Sequence, residues 1–521
     1  MDEKLLLGSF VASETGAVDV LVDSGSAFSA DVDDEGLMAN ITLEEALERT
    51  LPKKGRNGER QSRTIFSIGR FHAWVVFMCG LGWLADNAWL QVVSVCMLSV
   101  QRQFSIPDGY KMSMPGVAMM LGGVVGASFW GYVSDSRGRI YAFNATLVFS
   151  GIMGVVAAAS NSFGLYVSAL LLVGFGVGGN LPVDGAMFCE FLPSSVRGRL
   201  MVSLSVFWSL GGFFVALIAW AFIPRHICPP LGPCTDANNY GWRIVVASMS
   251  LYCFLVLLTR RGTPESPAYL LSKRNMSAAK KCVQTIARRN GCSSDPLRGA
   301  ELVVPRQRRQ SEATSSSLWE SARSLCRGPN MGKTTALVWG IYVFLNYGFT
   351  QFNMFLPKLL QGKGIHGEVY ADMLIYAAAG IPGVAVGASL VENPVLGRKW
   401  TIVMGCFGTM VGMVCFYLVS SRVGAVVSTC LVSFASQIGY AALYCYTPEV
   451  YPTPLRAFAT GAASSMGRAA SVAATILVGV FFSVFAKDTA LVVTSVLSFA
   501  TLAAASICGA LLPIRTIGKS L

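Results

Sequence analysis

The sequence predicts an all-α membrane protein: twelve transmembrane helices in two six-helix parallel repeats. Three observations predict it: a composition poor in charge, twelve apolar runs of spanning length, and a charged phrase written twice half a chain apart. Hydrophobic residues make up 53% of the 521 positions, charged residues 13%, and mean hydropathy is +0.53. Soluble domains carry about 25% charged residues, so this chain lacks the means to cover itself for water. A bilayer core needs about 20 apolar residues per helix, and the runs have that length.

Residues 1–70 read as a polar tail, acidic up to Glu48 and basic after it, largely unstructured through about residue 60 and facing the cytosol. Six runs follow within 71–260, at 71–99, 113–134, 140–159, 163–189, 200–222 and 242–260. A basic cytosolic linker, 261–334, separates them from six more within 335–512, at 335–357, 370–391, 400–420, 424–446, 458–485 and 488–512. Residues 513–521 form a short cytosolic C-terminus. An even number of passes brings both ends to one face. Arg137, Arg139, Arg197, Arg199, Arg398, Lys399 and Arg456 all fall in loops on that face, which the positive-inside rule makes cytosolic.

The net charge of +12 therefore reports topology rather than a nucleic-acid partner. Fourteen cysteines show no metal-ligand spacing, and no metal or cofactor is expected. Cys228 and Cys234, in HICPPLGPC on an outward loop, are the candidate disulfide. Asp2-x-x-x-Leu6-Leu7 fits an acidic dileucine sorting pattern, so the expected location is the plasma membrane or an endosomal or vacuolar membrane. The sequons at Asn40, Asn144 and Asn275 fall in the tail, a span and the linker, where glycosylation is not expected.

The repeated phrase is EFLPSSVRG at 190–198 and EVYPTPLRA at 449–457. An offset of 259 carries Glu190, Pro193 and Arg197 onto Glu449, Pro452 and Arg456, and also carries Gly138-Arg139 onto Gly397-Arg398. Two features at one offset make two like-oriented halves, the parallel-repeat plan in which a ligand sits between the halves near the midplane. The match is imperfect, because Pro394 stands where Asp135 has its counterpart.

GYVSDSRGR (131–139) resembles the Gly-x-x-x-Asp-x-x-Gly-Arg loop of the major facilitator superfamily. ESPAYL (265–270) is similar to the Pro-Glu-Ser-Pro-Arg motif of its sugar and organic-ion porters, with Ala268 in place of the Arg. YTPEVYPTPLRA (446–457) resembles their span-ten exit. ITLEEALERT, GRFHAWVVFMCGLGWLADNAWLQ and GFGVGGNLPVDGAMFCEFLP resemble the branch related to synaptic-vesicle proteins. The resemblance covers the chain from about residue 41. It implies the major facilitator fold and a secondary transporter that alternates access by rocking its halves. Asp135, Arg139, Glu190, Arg197, Glu265, Arg398, Glu449 and Arg456 then make a candidate cytosolic gate, against the simpler reading in which the arginines only set topology.

Inside the spans three ionisable residues stand out: Asp86, Asp184 and Arg468. Each costs about 2.5–3.5 kcal/mol on insertion scales, which makes it a functional candidate. Arg468 lies roughly 15 Å into span eleven at the helical rise. It serves either as a contact for an anionic substrate or as a structural partner for an aspartate. Asp86 and Asp184 are the proton-coupling candidates, Asp86 first. Proton-coupled sugar porters carry an arginine where this chain has Leu170, which leaves facilitated diffusion as the alternative. Trp89, Gln91, Asn180, Asn346, Tyr347, Gln351, Gln437 and Tyr444 are candidate cavity-lining groups, with ordinary helix packing as the competing reading for each. GFGVGG within a span suits close helix approach, and GPNMGKT lacks the first glycine of a P-loop. The expectation is a monomeric proton-coupled carrier of a small organic anion, not an enzyme. Organic cations, sugars, or a transport-dead sensor or vesicle-membrane protein are the alternatives.

Overall fold

The computed structural model describes residues 39–51, 68–228, 238–292, 329–364, 368–451 and 453–513, with short pieces between them. Six long helices form the first half: α2 (Arg70–Gln103), α3 (Tyr110–Arg137), α4 (Arg139–Ala158), α5 (Phe163–Phe191), α6 (Ser194–Phe222) and α7 (Gly241–Thr259). Six form the second: α10 (Pro329–Gly362), α11 (Val369–Glu392), α12 (Gly397–Leu418), α13 (Arg422–Val450), α14 (Thr453–Val484) and α15 (Lys487–Ala510). Eleven of these are long and apolar enough to cross a membrane. The twelfth, α10, has 34 residues but carries Asn346, Gln351, Asn353 and Lys358 along its length. Arg70 and Ala510 end on one face, called the terminal face below; the opposite one is the far face.

Between the halves, α2 packs on α10, α3 on α14 and α6 on α11. Within the first half, α3 and α5 meet along a glycine seam. A Cβ on Gly122 or Gly126 would run into the carbonyls of Leu171 or Phe175, and one on Gly174 or Gly178 into those of Met119 or Gly123. Where lipid tails are as apolar as the side chains, such close approach supplies the dispersion contact that holds helices together. Gly178→Ala should cost about 1–3 kcal/mol through overpacking, read as a lower melting temperature in detergent.

The segment 40–51, expected as part of an unstructured tail, is folded. β1 (Ala39–Ile41) pairs with β2 (Ala300–Leu302), and α1 (Leu43–Glu48) starts at a capping box. In that box Glu45 N donates to Thr42 Oγ1 at 3.3 Å and Thr42 N to Glu45 Oε2 at 2.9 Å. The reason is tertiary: Ile41 and Ala46 bury against Leu271, Ala279, Val283 and Leu297 of the linker. The linker supplies α8 (Pro267–Ser272) and the amphipathic α9 (Met276–Arg289), whose Ala279, Cys282, Val283 and Ile286 face inward. Burial and the Glu265 carboxylate push the Cys282 thiol up to about 12. Asn290 ties this unit to the first span, accepting from Phe71 N at 2.9 Å and donating to Thr50 O at 3.0 Å.

Candidate transport site

On the terminal face the two copies of the charged phrase build matching networks. Arg139 meets Glu190 through two donors, Nη2–Oε1 at 3.0 Å and Nε–Oε2 at 3.3 Å, and also contacts Asp135 and Ser134. Arg398 meets Glu449 the same way, with both contacts at 3.0 Å. Where the second half lacks a counterpart of Asp135, the Val391 carbonyl takes Arg398 Nη1 at 3.1 Å. That backbone acceptor supplies what Pro394 removes. Both arginines follow a glycine at positive φ, Gly138 (113°) and Gly397 (57°), a conformation favouring residues without a side chain.

Glu265 accepts from Arg139 N at 3.1 Å and Ile140 N at 3.3 Å. It thereby places an anion at the positive end of α4. The side chains of Arg197 and Arg456 lie outside those described. Among the described residues each network stays within its own half, and no ion pair crosses between the halves on this face.

Deeper in the first half, Asn180 Nδ2 donates to Asp86 Oδ1 at 2.8 Å across the α2–α5 interface. Asp86 Oδ2 and Asn180 Oδ1 are buried with no donor among the described residues. One helical turn toward the terminal face, Asp184 Oδ2 accepts from Arg260 Nη2 at 3.3 Å, both side chains fully buried. Arg260 also donates to the Phe143 carbonyl and lies 3.2 Å from the Phe143 ring centroid. Gly82 on α2 makes the room: a Cβ there would strike Asp184 Oδ2 and approach Arg260 Nη2. Arg260 is a further buried charge that the sequence alone does not mark, because it closes the last turn of α7 and looks like a loop cation.

From the second half, Arg468 reaches across the interface. Its Nη1 donates to the carbonyls of Gly123 at 3.3 Å and Gly178 at 3.4 Å. These oxygens are reachable because the glycine seam carries no side chains over them. No carboxylate lies within ion-pair distance of Arg468 among the described residues.

Beside Arg468 stands an aromatic wall. Tyr440 and Tyr444 stack with centroids 6.0 Å apart, Tyr342 lies 6.2 Å from Tyr444, and Phe349 lies 5.5 Å from Tyr440. Asn346 accepts from Tyr440 Oη at 3.2 Å. Tyr444, six residues before the end of α13, is 41% exposed.

The remaining candidates separate. Gln91 Nε2 donates across the interface to Asn353 Oδ1 at 3.4 Å, which also accepts from Tyr376 Oη at 3.0 Å. Asn353, missed from sequence, sits seven residues past Asn346 on α10 and so on the same helix face. Gln437 is half-buried against Gly380. Tyr347 is half-buried, with no partner for its hydroxyl among the described residues. Trp89 turns into the first half, donating to Cys253 Sγ at 3.3 Å, and Gln351 turns toward α15, accepting from Ser498 Oγ at 2.8 Å. Cys228 and Cys234 form a disulfide on the far face, with Cα atoms 5.3 Å apart.

The model of the sugar (and other) transporter family matches residues 86–521. The chain belongs to that family. Among similar proteins is the major facilitator-type transporter hxnZ of Emericella nidulans, 32% identical over 444 residues, 79% of each chain. The niacin transporter NiaP of Acinetobacter baylyi is 31% identical, covering 79% of this chain and 87% of NiaP. A synaptic vesicle 2-related protein of Pongo abelii is 25% identical over 87% of this chain and 80% of its own. The fold matches the xylose transporter XylE from E. coli in a partially occluded inward-open conformation, with TM-score 0.68 and 17% identity, covering 87% of this chain and all of XylE. This transporter is thus a multi-pass membrane protein of the major facilitator class that moves small molecules, and it is not an enzyme.

Proposed function

We propose that the transporter carries a small organic carboxylate, binding it between Arg468 and the tyrosine wall and driving it with a proton gradient through Asp86. The observation that carries the reading is Arg468. A half-buried guanidinium at the interface, with two long carbonyl contacts as its hydrogen bonds among the described residues, keeps donors for an anion. The stacked Tyr440 and Tyr444 suit a flat ring beside that anion. Niacin, named for two relatives, is an aromatic carboxylate of this kind. A neutral sugar accepts hydrogen bonds from Arg468 but leaves its charge uncompensated, and an organic cation is repelled by it. The transporter works as a monomer, with its terminal face in the cytosol.

Asp86 suits proton carriage because its carboxyl is buried and held on one oxygen by Asn180, while the other oxygen has no donor among the described residues. Uptake of nicotinate into proteoliposomes should rise with an imposed pH gradient. Asp86→Asn should abolish that gradient dependence while leaving counterflow exchange, which needs no net proton movement. An Asn variant that keeps full gradient dependence would remove Asp86 from the coupling step.

A further inference from the structure

On the far face a second charged contact joins the halves. Lys358, near the end of α10, places Nζ 2.7 Å from Asp108 Oδ1 in the turn between α2 and α3. The lysine side chain is 9% exposed and the aspartate 36%, so a buried cation is held by a carboxylate that water reaches. Gln101 Nε2 holds the same Asp108 oxygen at 2.6 Å.

The contact closes a wider seam. Tyr110 N donates to Ser483 Oγ at 2.8 Å, Ser99 and Tyr370 share a hydrogen bond at 3.4 Å, and Ser94 Oγ donates to Asn353 O at 2.9 Å. All of these cross between halves in the far half of the membrane. The ion pair lines an open recess of about 440 Å³, together with Leu98, Gln101, Arg102, Ile106 and Gln361. It presents two cations against one carboxylate.

We propose that Asp108 is a displaceable counter-ion of Lys358. Their pairing shuts the far face, and a carboxylate arriving in the cavity competes for the ammonium and lets the halves part. A buried ammonium gains most of its stabilisation from a close anion, so a substrate carboxylate substitutes for Asp108 where a neutral solute does not. Arg102, whose Nη1 donates to the Cys228 carbonyl at 3.2 Å, adds positive potential at the mouth. The competition by a carboxylate rests on the anionic substrate reading above; the lock itself does not.

The test uses the full chain in proteoliposomes, with Tyr110→Cys and Ser483→Cys as a far-face closure reporter. An engineered protease site in the linker makes the two halves run together on a gel only when cross-linked, and single-cysteine variants serve as controls. Asp108→Asn and Lys358→Gln should each lower the oxidative cross-link yield at least threefold, and the exchange Asp108→Lys with Lys358→Asp should restore it. Nicotinate added at the far face should lower the yield at least twofold in the unmodified pair, and nicotinamide should not. Nicotinate should have no effect in the Lys358→Gln background.

Adding Arg468→Gln separates the two readings: the nicotinate effect on cross-linking should persist although the KM for uptake rises. A yield indifferent to both single substitutions would overturn the lock. A yield lowered equally by nicotinamide, or a nicotinate effect surviving Lys358→Gln, would overturn the competition.

Discussion

Arg468→Gln is expected to raise the KM for nicotinate uptake about ten- to a hundredfold while leaving the protein folded. The substitution keeps two hydrogen-bond donors but shortens the side chain and removes the charge. Hydrogen bonds to a charged group contribute about 1.5–3 kcal/mol, and each 1.4 kcal/mol is about a factor of ten in affinity. Folding should tolerate the change because, among the described residues, Arg468 makes no close ion pair and its hydrogen bonds run to the Gly123 and Gly178 carbonyls. Arg468→Lys should recover little, since a point charge does not reproduce the planar fork. The measurement is concentration-dependent uptake in proteoliposomes beside a melting curve of the purified variant. An unchanged KM in a variant with a normal melting curve would return Arg468 to a purely structural role.

Arg260→Met is expected to do the opposite, harming the fold first. Both members of the Asp184–Arg260 pair are fully buried. Removing one partner of a buried pair costs about 3–5 kcal/mol, because the other charge is left uncompensated. The variant should show a clearly lower melting temperature and poor recovery in detergent. Replacing both residues, Arg260→Met with Asp184→Leu, should recover most of the stability, as buried pairs exchanged for apolar residues often do. If Asp184 takes part in proton movement, the double variant is stable but lacks the gradient-driven component of uptake. If the pair is only structural, gradient dependence returns with stability.

These two arginines show where sequence reasoning succeeds and stops. Arg468 is legible because it interrupts a long apolar run, where a cation is costly enough to mark a functional candidate. Arg260 is not, since a cation at the end of a span reads as a topology signal. Its role exists only once α4 and α5 bring Phe143 and Asp184 beside it. The same limit applies to Trp89 and Gln351: a polar or aromatic residue on a span has several faces available, and the neighbouring helix chooses. Asp108 and Lys358 are far apart in the chain and each looks ordinary, so nothing in their local pattern announces a contact between halves.

Composition, run length and the single offset of 259 were enough to establish a membrane protein of two like-oriented halves, because bilayer thickness and internal duplication write themselves in linear spacing. The paired Gly-Arg and Glu-x-x-Pro motifs suggested a gate spanning both halves, whereas Arg139–Glu190 and Arg398–Glu449 each pair within one half. Which face is shut, which buried carboxylate owns which cation, and that residues 40–51 fold onto the linker were decided only in three dimensions. Those outcomes depend on packing between residues tens to hundreds of positions apart, where a difference of a few kcal/mol selects the partner and leaves no periodicity in the chain.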